Sequence, residues 1–141
     1  MPYEYLDHLA DLGIRGIGRS TEEAFSEGAQ AMLAAMADTA SVCPTRQFVQ
    51  HCMAPDISSL FVEWLNELLY QCQVHGVLFR SASVTRIEQP GQLWVLEGVA
   101  YGEPLDAERH EPHTEVKAAT YSGLDYRAEA GHYVIQCVLD V

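Results

Sequence analysis

The sequence predicts an α+β domain: a mixed, largely antiparallel sheet with two helices packed on one face. Three observations predict it. Two segments repeat apolar residues at helical spacing, one opening at Ser20 and the other at Asp56. Around them lie apolar runs of strand length, bounded by glycine, proline and polar residues. The last run, HYVIQCVLDV (132–141), is apolar on both faces, which places it centrally in the sheet.

The predicted order is β-β-α-β-α-β-β-β-β within one domain spanning 1–141. Residues 3–7 and 12–18 read as short strands flanking the segment DHLAD. Gly13, Gly16 and Gly18 suit a bulge or a close backbone approach in the second. Ser20 followed by Glu23 forms a capping box, and Ala24, Phe25, Ala29, Met32, Leu33 and Met36 recur at helical spacing to about Ala37. Residues 45–53 read as a strand. Asp56 is the N-cap of a second helix, whose stripe of Leu60, Phe61, Trp64, Leu65, Leu68, Leu69 and Cys72 ends near Gly76. Trp64 and Phe25 are expected in the core facing the sheet.

Strands at 77–88 and 92–101, joined at Gln89-Pro90-Gly91, predict a β-hairpin. Residues 102–114 contain two prolines and read as a long polar loop, a type that often carries function. EVKAATY (115–121) and 132–141 close the chain as strands. In the last, Tyr133, Ile135, Cys137 and Leu139 face one way, and Val134, Val138 and Asp140 the other.

A length of 141 residues suits one hydrophobic core, and 48% apolar residues argue for a globular fold. No apolar run is long enough to span a bilayer. The N-terminus lacks the basic and apolar regions of a signal peptide, so the cytoplasm is the expected compartment. Cys43, Cys52, Cys72 and Cys137 form no C-x-x-C pair and read as small core residues. The net charge is −12, which argues against autonomous nucleic-acid binding. Cations and basic protein surfaces are the partners it favours.

Few residues carry chemistry. Asp7, His8 and Asp11 fall within five positions. Carboxylates bind hard cations through oxygen, but isolated acids also serve as ordinary turn residues. Asp140, at the end of an apolar strand, calls for a partner or is a surface acid at a fraying end. If the first and last strands are neighbours, Asp11 and Asp140 can share one cation. Lys117, the only lysine, is expected on one strand face with Glu115, Ala119 and Tyr121, where a surface ion pair is its simplest role. His110 and His113 read as solvated loop residues because Pro112 disfavours a helix there. Glu63 and Glu67 read as a solvated helix face. No phosphate-cradling glycine loop and no Ser-His-Asp order is found.

Taken together, YEYLDHLADLGIRG, STEEAF, WLNELLY, GEPLDAERHEPHTEVKAATYSGL and the terminal VLDV resemble the archease family from Tyr3 to Val141. The resemblance implies a non-catalytic activator of an RtcB-type RNA ligase, promoting ligase guanylylation and multiple turnover in tRNA splicing or RNA repair. It implies a transient contact with that ligase, and with RNA only indirectly. It also implies a divalent cation, calcium before magnesium or manganese, held by Asp11, Asp140 and a main-chain oxygen of Val141. Lys117 is implied in partner activation. Asp7 and His8 would support the ligands or the turn. An older reading of the family is a chaperone-like modulator of RNA-modifying enzymes such as tRNA methyltransferases. A metal-dependent phosphoester hydrolase using Asp7, Asp11 and Asp140 is a third reading of the acids. Two positions depart from the family pattern: Leu9 stands where a threonine is usual, and Ser122-Gly123 where many relatives carry a histidine.

Overall fold

The computed structural model describes residues 2–6 and 11–141. The chain runs β1 (Tyr3–Leu6), β2 (Asp11–Gly18), α1 (Thr21–Met36), β3 (Arg46–Ala54), α2 (Ile57–His75), β4 (Val77–Glu88), β5 (Trp94–Pro104), α3 (Ala107–His110), β6 (Ala118–Ala119), β7 (Asp125–Glu129) and β8 (His132–Asp140), with a 3-10 turn at Thr39–Ser41. The α+β class is as predicted.

Both long helices start where their caps direct. The Ser20 side chain accepts a hydrogen bond from the Glu23 amide, and the Asp56 carboxylate accepts one from the Ser59 amide. Helix α2 ends at Gly76, whose φ of 61° is the left-handed conformation that glycine adopts without strain. The last carbonyls of α1 are met from elsewhere in the chain. His113 N–H donates to the Met36 carbonyl and Thr114 N–H to that of Ala35, which ties residues 112–114 to the end of α1.

The strands form two sheets rather than the single mixed sheet expected. One has the order β1-β2-β8-β6, with β7 also paired to β8; the other has the order β3-β5-β4. Every pairing among the described residues is antiparallel. The split has a physical cause in α1, which packs against β2 of one sheet and β4 of the other. Its side chains occupy the hydrogen-bonding edge of β4: Val84 N–H donates to Ser26 Oγ at 2.8 Å, and Gln30 Nε2 donates to the Arg80 carbonyl at 3.0 Å. An edge satisfied by a helix takes no further strand.

The close approach of β2 to α1 depends on Gly16. A Cβ there would overlap the Ala24 carbonyl oxygen and the Gly28 backbone. The core between helices and sheets is built from Trp64, Phe25, Phe61, Phe79, Ile14 and Met32, all buried. Phe25 and Phe61 meet edge to face with centroids 5.1 Å apart, and Trp64 Nε1 donates to the Phe25 carbonyl at 3.1 Å.

Strand β8 is central, flanked by β2 on one side and by β6 and β7 on the other. Its alternation is as predicted, with Ile135, Cys137 and Leu139 paired to Gly16, Ile14 and Leu12 of the face toward the helices. Strand β7 escaped the sequence reading because DYRAE carries no apolar alternation; it is an exposed edge on β8. The strand expected at 115–121 contracts to Ala118–Ala119, so Lys117 and Tyr121 share no strand face with Ala119. Cys52 and Cys137 are buried and Cys72 half-buried, whereas Cys43 is exposed in the connection before β3 and does not belong to the core. Among the described residues no helix is long and apolar enough to cross a membrane.

Candidate functional site

The antiparallel register of β2 and β8 sets Asp11 directly opposite Asp140, at the end of the central strand. Directly opposed residues project from the same face, with Cβ atoms about 5 Å apart. That face also carries the rung of Glu4, Arg15 and Gln136, in which Arg15 donates to Glu4 at 2.7 Å and to Gln136 Oε1 at 2.7 and 3.0 Å. Asp11 and Asp140 are both exposed and make no ion pair among the described residues. Like charges in this position destabilise a strand pair. Asp11 and Asp140 are thus cross-strand neighbours, the juxtaposition that sharing one cation requires.

The donor set fits a hard divalent cation. Two opposed carboxylates offer oxygen ligands, and the adjacent Val141 offers main-chain oxygen. Val141 packs its side chain against the core, which anchors the end of β8. No third acidic, histidine or cysteine side chain joins the pair among the described residues. Asp7, His8 and Leu9 lie outside the described residues.

Lys117 reaches the same strand end through its backbone. Its N–H donates to the Asp140 carbonyl at 2.8 Å, and the next residue, Ala118, pairs with Asp140. Lys117 also lines a groove with Asn66 and Tyr70 of α2. The expected surface ion pair is missing: Lys117 has no carboxylate partner among the described residues. Asn66 holds this stretch in place. Its Nδ2 donates to the Ala119 carbonyl at 3.1 Å, and its Oδ1 accepts from Ala119 N–H at 2.8 Å. The amide thus acts as a further strand for the short β6, a role the helical periodicity of α2 did not reveal.

The polar loop at 102–114 is more ordered than predicted. Strand β5 extends to Pro104, and α3 follows with Asp106 as its N-cap. His110 is fully buried rather than solvated. Its Nδ1 accepts from Asp106 N–H at 2.8 Å, and its Nε2 lies 3.0 Å from Glu103. Glu103 also takes hydrogen bonds from both terminal nitrogens of Arg109 and from Cys43 N–H. The Arg109 side chain, the Cys43 amide and His110 hold its carboxyl well below the usual carboxylate range. Pro112 does end the helix, but only after His110 has been placed inside. His113 is exposed, as expected. Glu63 is exposed, whereas Glu67 is half-buried beside Gln71.

The sequence pattern of the archease protein family matches residues 3–141. The chain belongs to the archease family. An archease from Methanosarcina mazei is 36% identical over 139 residues, covering 99% of this chain and 95% of the relative. The solution structure of protein 1598 from Methanobacterium thermoautotrophicum superposes with a TM-score of 0.85 at 30% identity, covering 99% of both chains. A crystal structure from Thermotoga maritima, described as an archease and possible chaperone, superposes with a TM-score of 0.56 at 19% identity over 96% of this chain and 94% of that one. The last likeness is one of fold. The archease pattern runs through both the Asp11 and Asp140 ends of the site, which the fold then brings together.

Proposed function

We propose that this archease is a non-catalytic accessory protein that activates an RtcB-type RNA ligase, promoting its guanylylation and multiple turnover in tRNA splicing or RNA repair. The observation that carries the reading is the convergence at one end of β8. Asp11 faces Asp140 there, and the backbone of the only lysine is hydrogen-bonded to Asp140.

In this reading Asp11, Asp140 and a main-chain oxygen of Val141 hold a divalent cation, calcium before magnesium or manganese. The cation supplies positive charge that neutralises the opposed carboxylates. The chain's own residues do the rest. Strands β2 and β8 hold the two acids at a fixed separation, and Asn66 holds the strand that positions Lys117. The net charge of −12 steers the protein toward the basic rim of an enzyme that handles RNA and GTP. Contact is transient, RNA is met only through the ligase, and the compartment is the cytoplasm.

A multiple-turnover ligation assay with the cognate ligase, GTP and metal tests this. Substoichiometric protein is expected to raise turnover, and Asp11→Ala, Asp140→Ala and Lys117→Ala to abolish the gain while keeping the fold. Full stimulation by the aspartate variants would overturn the cation role. Phosphoester hydrolysis by the protein and metal alone would assign it to the hydrolases instead.

A further inference from the structure

Beside Lys117 lies a groove of about 600 Å³. Its apolar lining comes from Met36 at the end of α1, Leu69 and Tyr70 of α2, Leu78 of β4, and Leu105 and Val116 of the connection between β5 and β6. A second hollow of about 220 Å³ shares Met36, Leu78, Leu105 and Val116 and extends the groove along residues 112–116. Two of these apolar side chains are open to solvent: Tyr70 is 60% exposed and Leu105 is 49%. Clustered large apolar side chains around a concavity are a feature of interaction sites rather than of ordinary surface.

The charge at this groove is the unusual feature. Lys117 stands at it without an ion pair among the described residues, although the chain carries twenty acidic residues. Glu115 lines the same groove and does not pair with it. A lysine with no ion pair among the described residues, lining a largely apolar concavity, is complementary to a ligand that is apolar with one anionic group. A polyanion suits the site poorly, because the net charge of −12 repels a phosphate backbone.

We infer that this groove docks a protein segment of the partner that inserts apolar side chains and presents a carboxylate to Lys117. The inference rests on the activator reading and adds to it a separate division of labour. The apolar wall of the groove supplies affinity, whereas the acid pair on β2 and β8, together with Lys117, supplies activation.

Two measurements test it. The first needs no ligase: an amide-resolved NMR titration with N-acetyl-L-phenylalanine, which joins an apolar side chain to a carboxylate, and with the neutral N-acetyl-L-phenylalaninamide. Saturable shifts are expected at residues 69–73 and 116–117, with the neutral form weaker by about fivefold. Lys117→Met is expected to make the two bind alike. Absence of these shifts, or equal binding of both forms by the unaltered protein, would overturn the proposal. A stronger response to a phosphodiester dinucleotide would assign the groove to nucleic acid. Loss of these signals on raising protein concentration alone would assign it to a second copy. Either result overturns the inference.

The second measurement uses the ligase. Tyr70→Ser with Leu105→Ser is expected to raise the concentration for half-maximal stimulation about tenfold and to leave the maximum unchanged. Both side chains are exposed, so the fold should persist, and a thermal melt checks it. An unchanged half-maximal concentration overturns the docking role. If the unaltered protein fails to stimulate the ligase, the activator reading falls, while the NMR titration still decides the chemistry of the groove.

Discussion

Asp11 stands directly across the strand pair from Asp140, so two carboxylates from opposite ends of the chain share one face of the sheet. Their mutual repulsion opposes pairing of β2 with β8 unless a cation lies between them. In chelator, Asp11→Asn or Asp140→Asn is expected to stabilise the protein by about 0.2–1 kcal/mol. Added calcium should reverse the order, because binding to the folded state raises stability by about 1.4 kcal/mol at tenfold excess over Kd. Urea unfolding with chelator and with calcium checks both signs. An equal calcium response in parent and variants would exclude these acids as ligands.

Asn66 is expected to be the most costly polar residue of α2 to replace. Asn66→Ala strips both hydrogen bonds from the buried Ala119 peptide, at about 1–3 kcal/mol for stranded polar groups. Asn66→Asp keeps the acceptor for Ala119 N–H and loses the donor to its carbonyl, so an intermediate loss is expected. Chemical denaturation measures both. A loss by Asn66→Ala no larger than that of an exposed α2 substitution would mean the short β6 holds itself.

The depressed pKa of Glu103 gives acid sensitivity a defined sign. The ionised form is favoured in the folded protein by Arg109, Cys43 N–H and His110, and in the unfolded chain Glu103 titrates near the ordinary value of about 4.3. Its contribution is complete above that value and is lost as pH falls below it toward the lower folded pKa. Glu103→Gln should therefore destabilise the protein at neutral pH, with the difference from the parent shrinking below about pH 4. Unfolding curves across this range decide it. A difference that stays constant on acidification would show that Glu103 acts through packing rather than charge.

Thiol reactivity should separate one cysteine from three. Burial pushes the Cys72 and Cys137 thiols up to about 12. Cys52 is pushed up to about 12 by burial first, with the charges of Glu67 and Glu63 adding to it. Thiolate is the nucleophile, so these three should resist a thiol reagent near neutral pH. Cys43 is exposed and should react. Mass spectrometry is expected to find one adduct on native protein, none on Cys43→Ser and four after unfolding of the parent.

Much of the architecture was legible because it rests on local signals. Ser20 and Asp56 cap their helices through amides three residues away, and Gly76 ends α2 by its own backbone freedom. The two-faced apolar pattern of β8 declared a central strand. Those features depend on neighbours in sequence, where periodicity and capping act. The family resemblance to archeases was legible for another reason: its motifs run nearly the full length of the chain.

By itself the sequence determined the α+β class, the two long helices and their caps, the central last strand and the family. Only the tertiary structure decided how these parts meet. It divided the strands into two sheets, because Ser26 and Gln30 of α1 satisfy the edge of β4. It buried His110, because Glu103, Asp106 and Arg109 converge on one polar cluster that no periodicity announces. It brought Asp11 to Asp140 through strand register, and set Lys117, without an ion pair among the described residues, beside an apolar groove. Register and side-chain convergence link residues far apart along the chain, so they are settled by packing of the whole core rather than by local preference.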